Sequence, residues 1–227
     1  MFKKWEELPR YMKTEEVRPY YEKLSRKRKS LAMKRGFDLA VAVAMLAVLL
    51  PAGIMIAILV AADSGGGIFF CQERVTQYGR KFRIIKFRTM TAEAGQGAQV
   101  TKSNDRRITR VGRVLRKYRL DELPQLLNII AGDMSFVGAR PEVPYYVDRY
   151  TPEMCATLLL PAGVTSEASI CYKDEGRLLD SAANVDEVYV HQILPGKMEY
   201  NLEGIRKFSV IREFGIMVRT VRAVFTG

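Results

Sequence analysis

The chain has 227 residues, enough for one good core and an appendage but too few for two full domains. It carries 36 Lys and Arg against 25 Asp and Glu, a net charge of +11, which favours a polyanionic partner: nucleic acid, an anionic bilayer or phosphorylated substrates. The three cysteines match no metal-ligand spacing and read as reduced, structural thiols of a cytoplasm-facing protein, and the solitary His191 gives little weight to Ser–His or His–metal mechanisms.

Residues 1–33 are polar, basic and dotted with aromatics, and read as an extra N-terminal arm. Leu39 to Ala62 follows as an uncharged run. At about 1.5 Å per residue a straight helix of that length reaches about 36 Å, enough to cross a hydrocarbon core. Pro51 and Gly53 interrupt the run at its middle, where Pro removes a backbone donor and clashes with the preceding turn. Basic residues flank both ends, Lys34 and Arg35 before it and Arg74 and Arg80 after it, and such residues stay on the cytoplasmic side. The run over 34–63 is therefore expected to break near Leu50 and Pro51 and turn back, with Asp38 and Asp63 at one interface.

Residues 64–227 form the expected cytoplasmic catalytic domain. Alternation on either side of Tyr78-Gly79 predicts a β-hairpin carrying Lys86 and Arg88 on its second strand. The small, polar residues 91–104 predict a loop. Asn104 and Asp105 are candidate N-caps for a helix bearing Ile108, Val111 and Leu115. Leu123, Leu126, Leu127 and Ile130 mark a second helix, which Gly132 stops. Ile205, Phe208, Ile211, Phe214, Val218, Val221 and Phe225 share one stripe, with arginines on the remainder, giving a core helix or a basic amphipathic helix on anionic lipid. The fold class is α+β, mostly helical and membrane-associated.

Between these helices lie two adjacent carboxylates, Asp121 and Glu122. A first-turn cap explains them simply, because acidic residues favour a helix N-terminus and Pro124 fits there. A chemical reading needs more. A carboxylate can attack a phosphoryl centre, and a second can hold Mg²⁺, which shares oxygen ligands with substrate phosphates. Arg116 and Arg119 precede the pair, and Arg140 follows in a turn between Gly138 and Pro141, a planar fork suited to phosphate oxygens.

Four stretches, "KRGFDLAVAVAMLAVLLPAGI", "KFRTM", "RITRVGRVLRKYRLDELPQLLNIIAGDMSFVGARP" and "PAGVTS", resemble the successive signatures of the bacterial sugar transferases, the monotopic phosphoglycosyl transferases. The resemblance runs from about Lys34 into the C-terminal region and leaves out residues 1–30. It implies transfer of a sugar 1-phosphate from a UDP-sugar to a membrane polyprenol phosphate such as undecaprenyl phosphate. UMP is released, and the first membrane step of glycan assembly is made. It casts Asp121 as the nucleophile that carries the phosphosugar and Glu122 as its partner at Mg²⁺. Arg140 and Pro141 match the motif that engages the nucleotide diphosphate. Lys86, Arg88 and Arg116 match basic positions near the site. The re-entrant helix, broken at Pro51, would hold the chain at the bacterial inner membrane with its catalytic domain on the cytoplasmic face.

Two departures stand out: Leu50 precedes the break where many relatives have Ser, and Ala139 replaces the first Pro of a Pro-Arg-Pro turn. The stretch "TSEASICYKDEGRLL" also departs from the commoner continuation and is a candidate for setting sugar choice. Rival readings are a membrane glycosyl transferase that releases UDP and a non-catalytic membrane adaptor. No nucleic-acid recognition motif accompanies the charge, so no nucleic-acid partner is expected. The C-terminal stripe can serve lipid or a second subunit, as in a homodimer.

Overall fold

A computed structural model describes residues 2–91, 105, 107–173, 175–176 and 184–225. The described chain is mostly helical, with two small two-stranded sheets. All but the first residue of the expected loop at 91–104, with the candidate cap Asn104, lies outside the described residues, as does part of the stretch singled out for sugar choice.

The N-terminal segment packs into the core. Helix α1 (Arg18–Ser25) and the turns before it place Met12, Val17 and Leu24 wholly out of solvent, against Cys155, Leu159, Ile205 and Phe208. Pro19 near the start of α1 fits the position where a missing N–H costs nothing.

Helix α2 (Arg28–Asp63) begins earlier than the hydropathy alone marks, and its helical backbone runs through Pro51. It is long and apolar enough to cross a membrane. Only Lys34, Asp38, Ala42 and Val60 are buried along it. These lie near its two ends, and both ends meet the same body. From the first half, Arg35 donates to the carbonyls of Ile129 and Ile130, and Ala42 packs on Phe82, Ile84, Leu126 and Ile129. From the second half, Val60 packs on Phe87 and Leu115, and Asp63 accepts from the Val111 amide at 3.0 Å. Between them Val48, Leu50, Ile54 and Met55 stand exposed.

The hairpin forms as expected, except that its second strand ends at Phe87, one residue short of Arg88. β1 (Phe69–Val75) pairs antiparallel with β2 (Lys81–Phe87) around Tyr78 and Gly79, both at positive φ, and β2 turns Phe82, Ile84 and Phe87 inward. Helix α3 (Arg110–Lys117) is capped by Thr109, whose hydroxyl accepts from the Gly112 amide at 2.9 Å. The expected cap Asp105 is instead held by Arg107, so it sits outside the helix. A 3₁₀ turn (Leu120–Glu122) then leads to α4 (Gln125–Ala131), which ends at Gly132 in the left-handed region as predicted. β3 (Met134–Val137) pairs in parallel with β4 (Ala162–Thr165), and the connection between them contains α5 (Pro144–Val147). α6 (Glu167–Cys171) follows.

The C-terminal stripe is shared between two helices. Ile205 and Phe208, at the end of the Leu194–Arg206 helix and just beyond it, are core residues. The chain breaks there and restarts as the Val210–Phe225 helix, on which Ile211, Phe214, Val218 and Val221 are exposed. The core reading therefore applies to Ile205 and Phe208, while the later part of the stripe faces outward.

Candidate functional site

Asp121 and Glu122 are not a helix cap. They occupy the 3₁₀ turn ahead of α4, whose N-cap is Pro124, and neither side chain caps a backbone amide. Arg119 opens the turn with φ 53°, a conformation that costs a residue with a Cβ about 1 kcal/mol or more and that swings both carboxylates inward. Each is only 8% exposed.

Three separate elements bring cations to this turn. Lys86 on β2 donates to Glu122 Oε1 at 2.9 Å, and Arg140 donates to the same oxygen at 2.7 Å. Asn128, two turns further along from Glu122, fixes the strand by accepting from the Ile85 amide and donating to the Arg83 carbonyl. Arg116 at the end of α3 donates to the Thr89 hydroxyl at 2.9 Å and adds its charge beside Asp121.

The Arg140 turn is braced by backbone contacts on both sides. Gly138 donates to Thr165 and Gly163 donates to the Ala139 carbonyl, which ties the turn to β4. A Cβ on Gly163 would fall on the Gly138 backbone, so close approach requires glycine there. On the other side Arg74 donates to the Pro141 carbonyl at 3.1 Å, and the Val75 amide donates to Glu142. The rigidity that a proline at Ala139 would have supplied is thus replaced by main-chain bonds.

Arg88 does not join the cluster: its guanidinium reaches the carbonyl and hydroxyl of Ser64, tying the end of α2 to the hairpin. Pro141 contributes a carbonyl to Arg74. Leu50 and Pro51 lie on the exposed middle of α2.

The two carboxylates experience opposite fields. Burial alone would raise Glu122, but Arg140, Lys86 and Arg119 more than offset it and hold its carboxyl well below the usual range. Burial pushes Asp121 up, opposed most by Lys86 and reinforced by the charge of Glu122. Among the described residues Asp121 makes no hydrogen bond. Burial likewise draws Lys86 down, against the pull of Glu122, while Glu122 raises Arg140. The site thus pairs a carboxylate saturated by cations with a neighbour left unpaired under positive charge.

Several residues here were not legible as site residues: Thr89, which aims Arg116; Asn128, which clamps β2; and Arg74, which holds Pro141. Their partners lie far away in sequence, so no local spacing marks them. Gln125 is 1% exposed, and neither end of its amide has a partner among the described residues.

No group of three or more His, Cys, Asp or Glu among the described residues could hold a metal ion. Asp121 and Glu122 are nevertheless a hard-oxygen pair of the kind Mg²⁺ uses when substrate phosphates complete its shell.

A buried carboxylate pair thus stands among three cations, on a body that also carries a long apolar helix. The chain belongs to the bacterial sugar transferases, whose family model matches residues 29–227. It is similar, at 35% identity over 199 residues, to the UDP-N-acetylgalactosamine-undecaprenyl-phosphate N-acetylgalactosaminephosphotransferase of Aeromonas hydrophila, covering 86% of this chain and 44% of that protein. It is 34% identical to the UDP-glucose:undecaprenyl-phosphate glucose-1-phosphate transferase of Caulobacter vibrioides, over 85% of this chain and 70% of that one. Its identity to the exopolysaccharide production protein ExoY of Rhizobium meliloti is 40%, over 84% of each chain. The chain thus spans less than half the length of the Aeromonas relative and most of the other two.

Proposed function

We propose that this chain transfers a sugar 1-phosphate from a UDP-sugar to a polyprenol phosphate, releasing UMP, through a phosphosugar carried on Asp121. The observation that carries the reading is the asymmetry between Asp121 and Glu122. Glu122 is consumed by Lys86 and Arg140, whereas Asp121 is buried, unpaired among the described residues and surrounded by the cations a diphosphate needs. The names of the Aeromonas and Caulobacter relatives, both undecaprenyl-phosphate sugar phosphotransferases, support the same chemistry.

In this reading a carboxylate oxygen of Asp121 attacks the β-phosphorus, and the bond from that phosphorus to the bridging oxygen breaks. UMP leaves with the electron pair. An oxygen of polyprenol phosphate then attacks the same phosphorus, frees Asp121 and departs as polyprenyl diphosphate-sugar. In the free enzyme Arg140 and Lys86 are neutralised by Glu122, and in the donor complex they hold the diphosphate oxygens. Lys86 and, after it, Arg116 favour the ionised form of Asp121 as the anionic donor approaches. Glu122 and Asp121 would hold Mg²⁺, which supplies further neutralisation of the phosphate oxygens.

The apolar helix supports a site at the bilayer surface. Burying a Val, Leu, Ile or Met side chain is worth about 1.5–3 kcal/mol, so the exposed middle of α2 belongs in lipid rather than water. Its ends, however, are tied to one body through Arg35 and Asp63. A straight crossing would send those ends to opposite faces. We therefore read α2 as re-entrant about Pro51, with the body on the cytoplasmic face, and the exposed face of the Val210–Phe225 helix as a second contact with lipid.

The test is product identity. With undecaprenyl phosphate, Mg²⁺ and a panel of UDP-sugars, release of UMP is expected; release of UDP would mean that the sugar moves without its phosphate.

A further inference from the structure

Directly behind the Arg140 turn lies a second set of charged groups, which the reaction above does not use. Glu142 accepts from the Tyr189 hydroxyl at 2.6 Å. Lys197, on the Leu194–Arg206 helix, donates to that hydroxyl at 2.8 Å and to Glu175 Oε2 at 3.0 Å, and stands 3.5 Å from Glu142 Oε1. Arg74, which holds the Pro141 carbonyl, is 4.0 Å from the other Glu142 oxygen. Lys197 and Glu142 are each 5% exposed at the side chain.

A buried ammonium and a buried carboxylate need partners, and here they have more than one each. Glu142 is served by Arg74, Tyr189 and Lys197 together. Glu175 differs from the others: its side chain is 27% exposed, and only Oε2 is committed, to Lys197. Among the described residues Oε1 makes no hydrogen bond. Its negative charge, like that of Glu142, also acts on the Arg140 guanidinium, whose near side carries Glu122. Glu175 is thus an accessible acceptor, held in place by a buried lysine that also faces Glu142, two residues along the chain from Arg140.

We infer that Glu175, positioned by Lys197 and through it by Tyr189 and Glu142, reads the donor's sugar by accepting a hydrogen bond from one of its hydroxyl or amide groups. The inference rests on the phosphosugar reading above. On this inference the sugar, bonded to a phosphate held at Asp121 and Arg140, extends one group further out to the partly exposed Glu175 carboxylate. A carboxylate accepts only, so a donor presenting a hydrogen-bond donor there is favoured over one that does not.

The experiment compares kcat/KM for UMP release by the full chain with undecaprenyl phosphate and four donors: UDP-glucose, UDP-galactose, UDP-N-acetylglucosamine and UDP-N-acetylgalactosamine. For Glu175→Ala the preferred donor is expected to lose at least about tenfold, the scale of one lost polar contact, while the poor donors change little. The preference ratio collapses, and Glu175→Asp restores part of it. If Glu175 merely neutralises Lys197, all donors fall by one common factor and the ratio stays, which overturns the inference while UMP release by the wild type upholds the phosphosugar reading. No UMP from the wild type with any donor overturns both.

Discussion

Asp121 and Glu122 share one turn and one degree of burial, yet their surroundings drive their carboxyls in opposite directions. Glu122 takes hydrogen bonds from Lys86 and Arg140 on a single oxygen, and Asp121 takes none among the described residues. The pair therefore separates stability from reactivity, and each member can be tested alone.

Asp121→Asn should abolish UMP release and raise the melting temperature. The folded-state pKa of Asp121 lies above its ordinary value, so as pH rises the unfolded chain gives up this proton first and stability falls through that window. At neutral pH the ionised group is a net burden on the fold, and the neutral amide relieves it. Each kcal/mol relieved is worth ~2–4 °C in a chain of this size. Differential scanning fluorimetry reads the shift; a lowered melting temperature would contradict the field assigned to Asp121.

Glu122→Gln should do the reverse. It leaves the part-buried Lys86 and Arg140 without their counter-charge, a loss of ~1–3 kcal/mol, the range for an unsatisfied group. Because the Glu122 pKa is depressed, the stability it contributes is fully present above its ordinary value of 4.5 and is lost as pH falls towards its folded-state pKa. Urea unfolding at neutral pH should show the deficit, and unfolding midpoints equal to wild type would sink it.

The acid limb of kcat/KM for UMP release should sit above 3.8, the ordinary value for an aspartate, since attack needs Asp121 ionised and burial raises its pKa. Lys86 is the strongest charge opposing that rise, so Lys86→Met should move the limb to higher pH as well as slow the reaction. A limb that stays in place in Lys86→Met would remove Asp121 as the group that titrates.

How far the sequence reaches can be judged element by element. The hairpin around Tyr78-Gly79 and the stop at Gly132 are written locally, in a turn dipeptide and a left-handed glycine, and both form where expected. The start of α3 is misplaced because Asp105 finds Arg107 before it can cap, leaving Thr109 to do so. The carboxylate pair with Arg116 and Arg140 was legible as a charge pattern and Lys86 only through the family resemblance, but Arg88 turns to Ser64 for a reason no spacing reveals. The Glu142–Tyr189–Lys197 group is invisible in sequence, since Glu142 lies 47 residues before Tyr189 and only the fold joins it to the other two. The N-terminal segment looks solvated from its charge, yet its apolar positions fill the core.

Both ends of α2 should face the cytoplasm. In a chain with Cys71, Cys155 and Cys171 replaced by serine, single cysteines at Lys29 and Gly65 are expected to resist an impermeant thiol reagent added to intact cells. Both should label in inverted vesicles. Labelling of either one from outside would establish a straight crossing.

The central claim is that Asp121 forms a bond to the donor's phosphorus. Intact mass of the chain after incubation with Mg²⁺ and an accepted UDP-sugar, without any lipid acceptor, measures it directly. A sugar-phosphate increment is expected in the wild type, absent in Asp121→Asn and discharged by undecaprenyl phosphate. The same increment surviving in Asp121→Asn, or UMP release that continues in that variant, would contradict it.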